Sequence, residues 1–401
     1  MIFKPGQESI IQMGVYHLKH SSNQVFEYDG EAGTGKSVVL KEMIRRAGIK
    51  EDEILPMAYT GSAAIVMRTK GFRNATTVHS GIYHIEKDVA KNDKNVLMNT
   101  QFNAPMVEEH FVVDDCLNPK IKVLAIDEGG MIPEQMKPHI EKFGLPVIVT
   151  GDKGQLPPIN AKPAYLYKDD IPHLSELMRQ SEYDGIVYIA RRARRGLPIH
   201  AGRYGNALVI EEDEFNQNMI ACSNIILCGT NKRREKLNEY IRYRLLNIHS
   251  TLPVYGDRMI CRKNNWNVEV DGIALANGLV GTVVSYPDVS SFTGRDYNIN
   301  FLPDLVQTPF DNVICDYKYL TGTVEERRHI KNSPFPTAEL FEYAYALTTH
   351  LAQGSEYNGG VYIEESLGGN IQNNLNYTGV TRFKKWMIYI KRKRKFYNVP
   401  Y

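Results

Sequence analysis

The sequence has few cysteines, no long apolar run and no marked excess of charge. Its five cysteines, Cys116, Cys222, Cys228, Cys261 and Cys315, include no C-x-x-C pair, which favours free thiols over a disulfide framework or a zinc site. No apolar run reaches the roughly 18 residues of a transmembrane helix, and the opening MIFKPGQESI lacks the apolar core of a signal peptide. We therefore expect a cytoplasmic protein without a membrane partner.

The charge balance does not decide whether the partner is a nucleic acid. Lysine and arginine number 48, aspartate and glutamate 46, and the net charge is +2. Local basic clusters therefore matter more than the total. The chain has 401 residues, 43% of them apolar, which is long enough for two or three globular domains.

One short segment indicates the chemistry most directly. Residues 30–37 read GEAGTGKS and fit the phosphate-binding pattern G-x-x-x-x-G-K-[ST]. In that pattern Lys36 reaches the β- and γ-phosphates, and the hydroxyl of Ser37 binds Mg²⁺. A strand-like VFEY precedes the segment and a helical pattern over residues 37–46 follows it. That context favours a phosphate-binding loop (P-loop) over a flexible glycine-rich linker, and so predicts binding of a nucleoside triphosphate.

Strand-like apolar runs alternate with helical patterns along the chain, which indicates an α/β fold with parallel strands. Two regions depart from this alternation. Residues 84–120 are polar with short strand-like pieces, and residues 283–336 contain the Pro, Gly and Asp turns of a small all-β insert. The runs are VFEY (25–28), ILPMAYT (54–60), KVLAIDE (122–128), PVIVTGD (146–152), NIILCGT (224–230), GTVVSY (281–286), GGVYIEE (359–365) and WMIYIK (386–391).

Two of these runs lead into polar residues suited to hydrolysis. KVLAIDE ends in Asp127 and Glu128; beside a P-loop, the first would hold Mg²⁺ and the second would deprotonate the attacking water. PVIVTGD leads to Gln155, which is placed to sense the γ-phosphate. The structural alternatives are a solvated acidic pair at Asp127 and Glu128 and an ordinary loop around Gln155.

The order of the motifs resembles that of superfamily 1 helicases, in particular the RecD-like branch that includes the phage Dda helicases. Further segments of the chain also resemble this family, so that the resemblance spans nearly the whole sequence. The main motifs are GEAGTGKS (30–37), IDEGGM (126–131), GDKGQLPPI (151–159), THLAQGSE (349–356) and YTGVTR (377–382), joined by GQESI (6–10), AYTGSAA (58–64), TTVHS (76–80), the segment 176–196 and TNKRREKLNEYIR (230–242).

The resemblance implies an α/β fold class with two RecA-like P-loop motor domains on parallel sheets and two small inserted β-rich subdomains. The first motor domain would comprise residues 1–83 and 121–180, and the second residues 181–282 and 337–401. Residues 84–120 would form a wedge or pin, and residues 283–336 an SH3-like module.

The resemblance also implies ATP and Mg²⁺ as ligands at the seam between the motor domains. Arg382 is the first candidate, and Arg179 the second, for the arginine that stabilises charge on the transferring phosphate. Ser37 and Asp127 would hold the metal, and Gln7 resembles the adenine-reading glutamine. The implied catalytic residues are Lys36, Asp127, Glu128, Gln155, Arg179 and Arg382, and the remaining ATP-binding residues are Gly30, Glu31, Ala32, Gly33, Thr34, Gly35, Gln353 and Gly354.

A path for single-stranded DNA across both domains is implied in the same way. The candidate residues are Thr60, Gly61, Ser62 and His79 in the first domain and Thr348, His350, Gln353 and Ser355 in the second. Phe102 and Phe111 are candidates for the tip of the wedge, with ordinary packing as the alternative.

Two basic runs have both a structural and a functional interpretation. RRARR (191–195) lies on a helical pattern, so a solvated helix face is expected and a phosphate contact is the alternative. KRKRK (391–395) follows a strand-like run and either protects its edge or contacts a DNA tail.

Four residues differ from the family pattern. Gly129 and Gly130 replace small polar residues after the acidic pair, Leu351 replaces a lysine, and Phe383 replaces a small residue. These differences concern the grip on DNA more than hydrolysis.

The resulting hypothesis is an ATP-dependent DNA helicase that moves 5′ to 3′ on single-stranded DNA and unwinds duplexes. Its expected partners are single-stranded DNA, single-strand/duplex junctions and single-strand-binding or replication proteins, and it is expected to be a monomer in a bacterial or phage-infected cell. A translocase without efficient unwinding is an open alternative. A non-catalytic subunit is disfavoured because Lys36, Glu128 and Arg382 are present. RNA is also open as a substrate, because backbone contacts report little about the 2′-hydroxyl.

Overall fold

The computed structural model describes residues 3–20, 24–89, 91–92, 95–96, 98–99, 104–105, 107–176, 184–286, 294–331, 338–368 and 371–392. Within these ranges the chain forms two parallel sheets with flanking helices and one antiparallel sheet. No helix in the described part is long and apolar enough to span a bilayer.

The first sheet has six strands, all paired in parallel with their neighbours. Because parallel strands end at one edge, the segments that follow Gly30, Asp127 and Gly151 meet there. In spatial order the strands are His173–Leu174, Val25–Gly30, Val147–Gly151, Val123–Asp127, Ile54–Ala58 and Thr76–Thr77.

Helices cover both faces of this sheet and bury two apolar clusters, one including Leu40 and Met43, the other Ile126 and Val149. We call the sheet and its helices the first unit. The α-helices are Pro5–His20, Lys36–Ala47, Gly61–Thr69, Val78–Ile82 and Lys137–Glu141, and the 3₁₀ turns are Glu51–Glu53, Gly129–Met131 and Glu134–Met136.

The second sheet also has six strands, parallel except for one antiparallel edge pair, Gly202–Tyr204 with Ala207–Glu211. We call this sheet and its helices the second unit. The remaining strands, in spatial order, are Phe383–Lys391, Tyr357–Ile363, Ile226–Cys228 and Ala346–Thr348. The helices are Gly185–Arg194, Gln217–Ala221, Asn231–Tyr240 and Ile371–Val380, with a 3₁₀ turn at Glu212–Glu214 and a π-helical turn at Ile241–Leu245.

The third sheet is antiparallel and extends beyond the predicted insert at residues 283–336. Its first and last strands in the chain, Arg258–Cys261 and Phe341–Tyr343, pair with each other. The predicted range of the insert was defined by its turn-forming residues. The backbone pairing of the sheet also includes strands that lie before and after this range in the chain. The spatial order is Phe310–Asp316, Asp296–Pro303, Val280–Val283, Arg258–Cys261 and Phe341–Tyr343, accompanied by the hairpin Asn265–Val270/Ile273–Leu275 and the helices Tyr317–Thr321 and Val324–Lys331.

A hairpin occupies the region predicted as a wedge. Tyr83–Val89 pairs antiparallel with Val107–Val113, and the pairs Lys91–Asn92/Asn95–Val96 and Met98–Asn99/Ala104–Pro105 follow toward its tip. Phe111 lies on the returning strand with 48% of its surface exposed. Phe102 lies outside the described residues.

All eight predicted strand-like runs contain a strand, and the predicted helix at 37–46 is Lys36–Ala47. The prediction of parallel order is confirmed for seven of the runs. The eighth, GTVVSY, overlaps Val280–Val283 in the antiparallel sheet. Its apolar alternation resembles that of the other runs because it is buried as well.

Candidate functional site

The P-loop, residues 30–37, connects the strand Val25–Gly30 to the helix Lys36–Ala47. Gly33 and Gly35 have φ angles of 84° and 83°, a region that residues with a Cβ rarely adopt. A Cβ on Gly30 would lie 2.8 Å from Thr34 Oγ1 and 2.9 Å from Leu174 Cβ. The glycines of the motif are therefore required by backbone conformation and by close packing.

The side chains of Lys36 and Gln7 both contact the backbone of this loop. Lys36 Nζ donates to the carbonyl oxygens of Gly30 at 2.9 Å and Glu31 at 3.3 Å. Gln7 is fully buried, and its Nε2 donates to Thr34 O at 3.0 Å. Gln7 and Lys36 thus both hold the backbone of the loop in place.

The acidic pair lies next to the P-loop. Ser37 Oγ donates to Asp127 Oδ2 at 3.0 Å. Glu128 adopts a φ of 54°, and such left-handed backbone at a non-glycine residue is concentrated at functional sites. Burial raises the pKa of Glu128, and Asp127 beside it raises it further, while Arg382 opposes the shift. A carboxyl with this pKa shift suits a proton acceptor.

The Ser37 hydroxyl and the Asp127 carboxylate fit a small divalent cation. Mg²⁺ prefers oxygen ligands and usually takes only one or two carboxylates, the rest being phosphate and water oxygens. No group of three or more His, Cys, Asp or Glu side chains among the described residues could hold a metal. A Mg²⁺ ion at this site would therefore depend on the nucleotide for its remaining ligands.

A cavity of about 350 Å³ opens between the P-loop and the second unit. Its walls combine P-loop residues, the acidic pair and side chains from the motifs near residues 353 and 382. The lining residues are Ala32, Gly33, Gly35, Lys36, Ser37, Val38, Ala63, Val66, Lys70, Asp127, Glu128, Gln155, Gly354, Glu356, Thr381, Arg382 and Lys384.

Arg382 reaches this cavity from the second unit. Its Nη2 donates to Gln155 Oε1 at 3.1 Å, and its Nη1 donates to Ser355 O at 3.3 Å. Only 4% of the residue is exposed. The arginine is thus held at the seam, where its charge acts on Glu128.

The turn formed by residues 152–156, which carries Gln155, is held by further side chains of the second unit. Gln353 Nε2 donates to Leu156 O at 2.8 Å, and Leu156 N donates to Thr378 Oγ1 at 2.9 Å. Asn374 Nδ2 donates to the carbonyl oxygens of Gly154 and Gln155 at 2.9 and 3.0 Å. The sequence analysis did not predict Asn374 or Thr378. Asn374 lies about one helical turn before the YTGVTR motif, and Thr378 lies within it.

A charge cluster that the sequence did not reveal lies in the same cavity. Lys70 Nζ lies 3.4 Å from Glu356 Oε1, and Lys384 pairs with the other carboxylate oxygen. Burial opposes ionisation of Glu356, yet the two lysines outweigh it and lower the pKa of this carboxyl to about 2. Because Lys70 belongs to the first unit and Glu356 to the second, the pair joins both walls of the cavity.

Of the predicted DNA-contacting residues of the first unit, Gly61 and Ser62 lie next to the segment that leads into the third sheet. Thr60 caps the helix Gly61–Thr69 by accepting from Ala63 N at 3.2 Å, and Ser62 Oγ donates to Gly278 O at 3.1 Å. Gly354 of the second unit packs closely here, because a Cβ on it would lie 2.7 Å from Thr60 Oγ1.

In the second unit, the predicted DNA-contacting residues begin with Thr348, the last residue of the strand Ala346–Thr348. Thr348 Oγ1 accepts from Leu351 N at 3.3 Å, and burial lowers the pKa of His350. Ser355 is 7% exposed and its carbonyl binds Arg382. The side chain of Thr348 and the backbone of Ser355 therefore have structural contacts within the second unit.

His79 lies in an aromatic cluster at the base of the hairpin. Its ring centroid is 5.6 Å from that of Tyr83, 6.0 Å from Tyr59 and 5.5 Å from Phe111. Burial lowers the pKa of His79, so a neutral ring is favoured. Arg179 lies outside the described residues.

The interpretation of RRARR as a solvated face was wrong for Arg194, whose side chain is 19% exposed, whereas Arg191 is 40% exposed although it is also paired. Arg191 Nε donates to Glu31 Oε2 at 3.1 Å, and Arg194 Nη1 donates to Asp152 Oδ1 at 2.7 Å. Both partners belong to the first unit, so only the tertiary structure reveals the pairing. In the second basic run, Lys391 Nζ donates to Glu211 Oε1 at 2.9 Å on the neighbouring strand, and residues 393–395 lie outside the described range.

Comparison with known proteins identifies the family. A family model described as an AAA domain matches residues 4–212, just over half of the chain. The chain belongs to this family. The AAA domain match covers the P-loop, the acidic pair and the 152–156 turn, which together form the first wall of the cavity.

Two similar proteins come from Saccharomyces cerevisiae. The ATP-dependent DNA helicase PIF1 is 30% identical over 169 residues, covering 39% of this chain and 17% of that protein. The ATP-dependent DNA helicase RRM3 is 28% identical over 141 residues, covering 34% of this chain and 18% of that protein. The matched stretches thus span less than a fifth of either yeast protein.

The fold extends the likeness over the whole chain. A crystal structure of Bacteroides Pif1 bound to ssDNA superposes with a TM-score of 0.57 and 17% identity, covering 100% of this chain and 95% of that one. This confirms the predicted α/β fold with two parallel-sheet units. The matched yeast sequences, both named as ATP-dependent DNA helicases, agree with the resemblance to superfamily 1 helicases found in the sequence.

Proposed function

We propose that this AAA domain protein is an ATP-dependent DNA helicase that moves 5′ to 3′ along single-stranded DNA. The observation that carries the proposal is the position of Arg382, which reaches from the second unit to Gln155 of the first beside Lys36 and the acidic pair. An arginine donated across a seam is how many nucleotide hydrolases stabilise the transferring phosphate. The yeast relatives named as ATP-dependent DNA helicases support the same activity.

Four residues of the cavity act on the nucleotide in this proposal. Lys36 binds the β- and γ-phosphates after leaving the carbonyls of Gly30 and Glu31. Glu128 accepts a proton from the attacking water. The water oxygen bonds to the γ-phosphorus, and the bond between the γ-phosphorus and the bridging oxygen of the β-phosphate breaks. Gln155 and Arg382 contact the γ-phosphate together, because they are already hydrogen-bonded to each other.

Mg²⁺ is the proposed metal, and Ser37 and Asp127 are the residues that would hold it. When bound, the ion neutralises charge on the phosphate oxygens. The chain itself positions the Ser37 hydroxyl at the start of a helix, where the backbone N–H groups and the helix dipole also favour phosphate.

Single-stranded DNA is proposed to cross both units on the side of Thr60, Ser62 and His350. The two units correspond to the proposed motor domains. The hairpin Tyr83–Val89/Val107–Val113 is the proposed wedge, and the third sheet, rather than residues 283–336 alone, is the proposed SH3-like module. Loss and return of the Arg382–Gln155 contact during each ATP cycle would move one unit relative to the other and displace the strand.

ATP hydrolysis with and without single-stranded DNA tests the motor activity. We expect single-stranded DNA to stimulate hydrolysis severalfold in the wild-type protein, and Lys36→Ala to abolish it. Lys19→Ala on the first helix serves as the control. Equal turnover with and without DNA contradicts the proposal of a motor.

A second assay separates a helicase from a translocase and tests the direction. Partial duplexes that carry either a 5′ or a 3′ single-stranded tail are offered with ATP, and strand separation is measured. We expect only 5′-tailed substrates to open. Opening of 3′-tailed substrates alone contradicts the polarity, and DNA-stimulated hydrolysis without strand separation supports a translocase.

The resemblance of the sequence motifs to superfamily 1 helicases supports the proposed partners, oligomeric state and location. Junctions of single and double strands, together with single-strand-binding or replication proteins, are the proposed partners of a monomer in a bacterial or phage-infected cytoplasm. An RNA strand in place of DNA in the stimulation assay tests the choice of nucleic acid.

A further inference from the structure

We infer that Arg194, which belongs to none of the motifs assigned to ATP, is a positioning residue for hydrolysis and acts through the 152–156 turn. The inference rests on the proposed function, in which the contact between Gln155 on this turn and Arg382 couples the two units. Arg194 does not line the nucleotide cavity among the described residues. It therefore acts on another residue and not on the nucleotide.

Arg194 bridges the units through two buried carboxylates. Its Nη1 donates to Asp152 Oδ1 at 2.7 Å, and its Nη2 lies 3.8 Å from Asp29 Oδ2. Asp29 and Asp152 are 0% and 3% exposed. Buried carboxylates of this kind require compensating charge, and an arginine supplies it in a fixed geometry.

Glycine and tyrosine neighbours fix the position of the guanidinium. A Cβ on Gly154 would lie 2.7 Å from Arg194 Cζ, so the glycine permits the guanidinium to lie over the turn. The other side faces Tyr377, with 5.2 Å between Arg194 Cζ and the ring centroid. The hydroxyl of Tyr377 donates to Asp152 and accepts from the P-loop N–H of Ala32 at 3.1 Å.

The contact between Arg194 and Asp152 affects the position of Gln155, which lies three residues further along the chain. Asp152 Oδ1, which binds Arg194, also accepts from Gly154 N at 2.9 Å, and Asp152 O accepts from Gln155 N at 3.0 Å. These bonds close the turn that directs Gln155 Oε1 at Arg382. Loss of Arg194 leaves Asp152 without its cation and loosens the turn, so that Gln155 and Arg382 no longer meet in one position.

The consequence is a defect in turnover with little change in nucleotide affinity. Displacement of a catalytic group by about 1 Å can cost up to roughly 10²-fold in rate. We expect Arg194→Ala to lower the DNA-stimulated kcat by roughly tenfold or more and to change KM for ATP by less than about twofold. Arg194→Lys, which keeps the charge but loses the fork, should recover part of the rate.

A double-mutant cycle tests whether Arg194 acts through Gln155. If it does, Arg194→Ala lowers kcat far less in a Gln155→Ala background than in the wild-type background. Arg195→Ala, which alters an exposed arginine of the same run, is the matched control and should keep the wild-type kcat. Thermal melting of every variant separates this effect from unfolding, and if Arg194→Ala does not fold, the cycle is run with Arg194→Lys.

Equal fractional losses in both backgrounds, a change confined to KM, or the same loss in Arg195→Ala would each overturn the inference. A failure of the proposed function has a different signature, because the wild-type protein would then show no DNA-stimulated hydrolysis. If DNA stimulates hydrolysis by the wild-type protein but the effects of Arg194→Ala and Gln155→Ala are additive, only the role of Arg194 is contradicted and the proposed function stands.

Discussion

Arg382 Nη2 lies 3.1 Å from Gln155 Oε1, although 227 positions separate the two residues in the chain. The contact joins the second unit to the first at the cavity that contains Lys36 and Glu128. Arg382 is also anchored within its own unit by Thr378 O and Ser355 O, at 3.1 and 3.3 Å. A change in the spacing of the units therefore moves the guanidinium relative to the acidic pair.

The first prediction concerns Arg382→Ala. Removal of the guanidinium should lower kcat by about 10³-fold, because this charge is proposed to stabilise the transferring phosphate. ATP affinity should change much less, since the P-loop contacts persist. Steady-state kinetics and binding of a labelled nucleotide measure the two effects, with the exposed Lys385→Ala as control. A pure loss of binding at unchanged kcat would reassign the residue.

The second prediction concerns the pH dependence of hydrolysis. Glu128 must be ionised to accept a proton, and burial together with Asp127 raises its pKa above the ordinary 4.5. The rate should therefore fall as the pH is lowered through this raised pKa, so that the acid limb of the kcat profile lies above pH 4.5. In Glu128→Gln the residual rate should lose this limb. An unchanged limb in the variant would assign it to another group.

The third prediction concerns the stability that Glu356 contributes. Its pKa is about 2 in the folded protein against 4.5 ordinarily, so the ionised carboxyl stabilises the fold above pH 4.5, and this contribution is lost as the pH falls from there toward 2. Glu356→Gln should lower the free energy of unfolding at pH 7 by on the order of 1–3 kcal/mol.

Urea unfolding at several pH values checks this prediction. The difference between Glu356→Gln and the wild-type protein should shrink as the pH is lowered through that window. Glu325→Gln, on the exposed side of the helix Val324–Lys331, serves as control. A difference that stays constant with pH would mean that the ion pairs with Lys70 and Lys384 contribute little.

The fourth prediction concerns the docking of the helix that carries Arg191 and Arg194. A Cβ on Gly185, at the start of this helix, would lie 1.6 Å from the backbone oxygen of Tyr204. Gly185→Ala should therefore lower the free energy of unfolding by about 2 kcal/mol or more. Gly130→Ala is the matched control, because the nearest atom to its Cβ would be 3.9 Å away. Equal melting temperatures for the two variants would contradict the close approach.

Two family differences have a structural explanation. Phe383, where the family resemblance implies a small residue, is 2% exposed and packs in the core of the second unit. Gly360 accommodates the ring, since a Cβ there would lie 2.8 Å from Phe383 Cε1. Leu351 packs against the same core. Both substitutions thus contribute to packing within the second unit.

The sequence by itself determined the P-loop, the acidic pair and the strands that lead to them. Local backbone requirements explain this success, because Gly33 and Gly35 need positive φ angles and the polar residues follow buried parallel strands. The order of the motifs further indicated that Arg382 belongs to the same site. Apolar alternation did not separate GTVVSY from the parallel strands, since burial produces the same pattern in either sheet.

Only the tertiary structure decided which charges pair across the seam. Arg191 and Arg194 are indistinguishable in sequence from Arg192 and Arg195, yet the first two meet carboxylates of the first unit. The pair Lys70–Glu356 joins residues that are 286 positions apart in the chain (356 − 70). A side chain acquires such a partner only when two separately folded sheets come together, and no local pattern of residues encodes that approach.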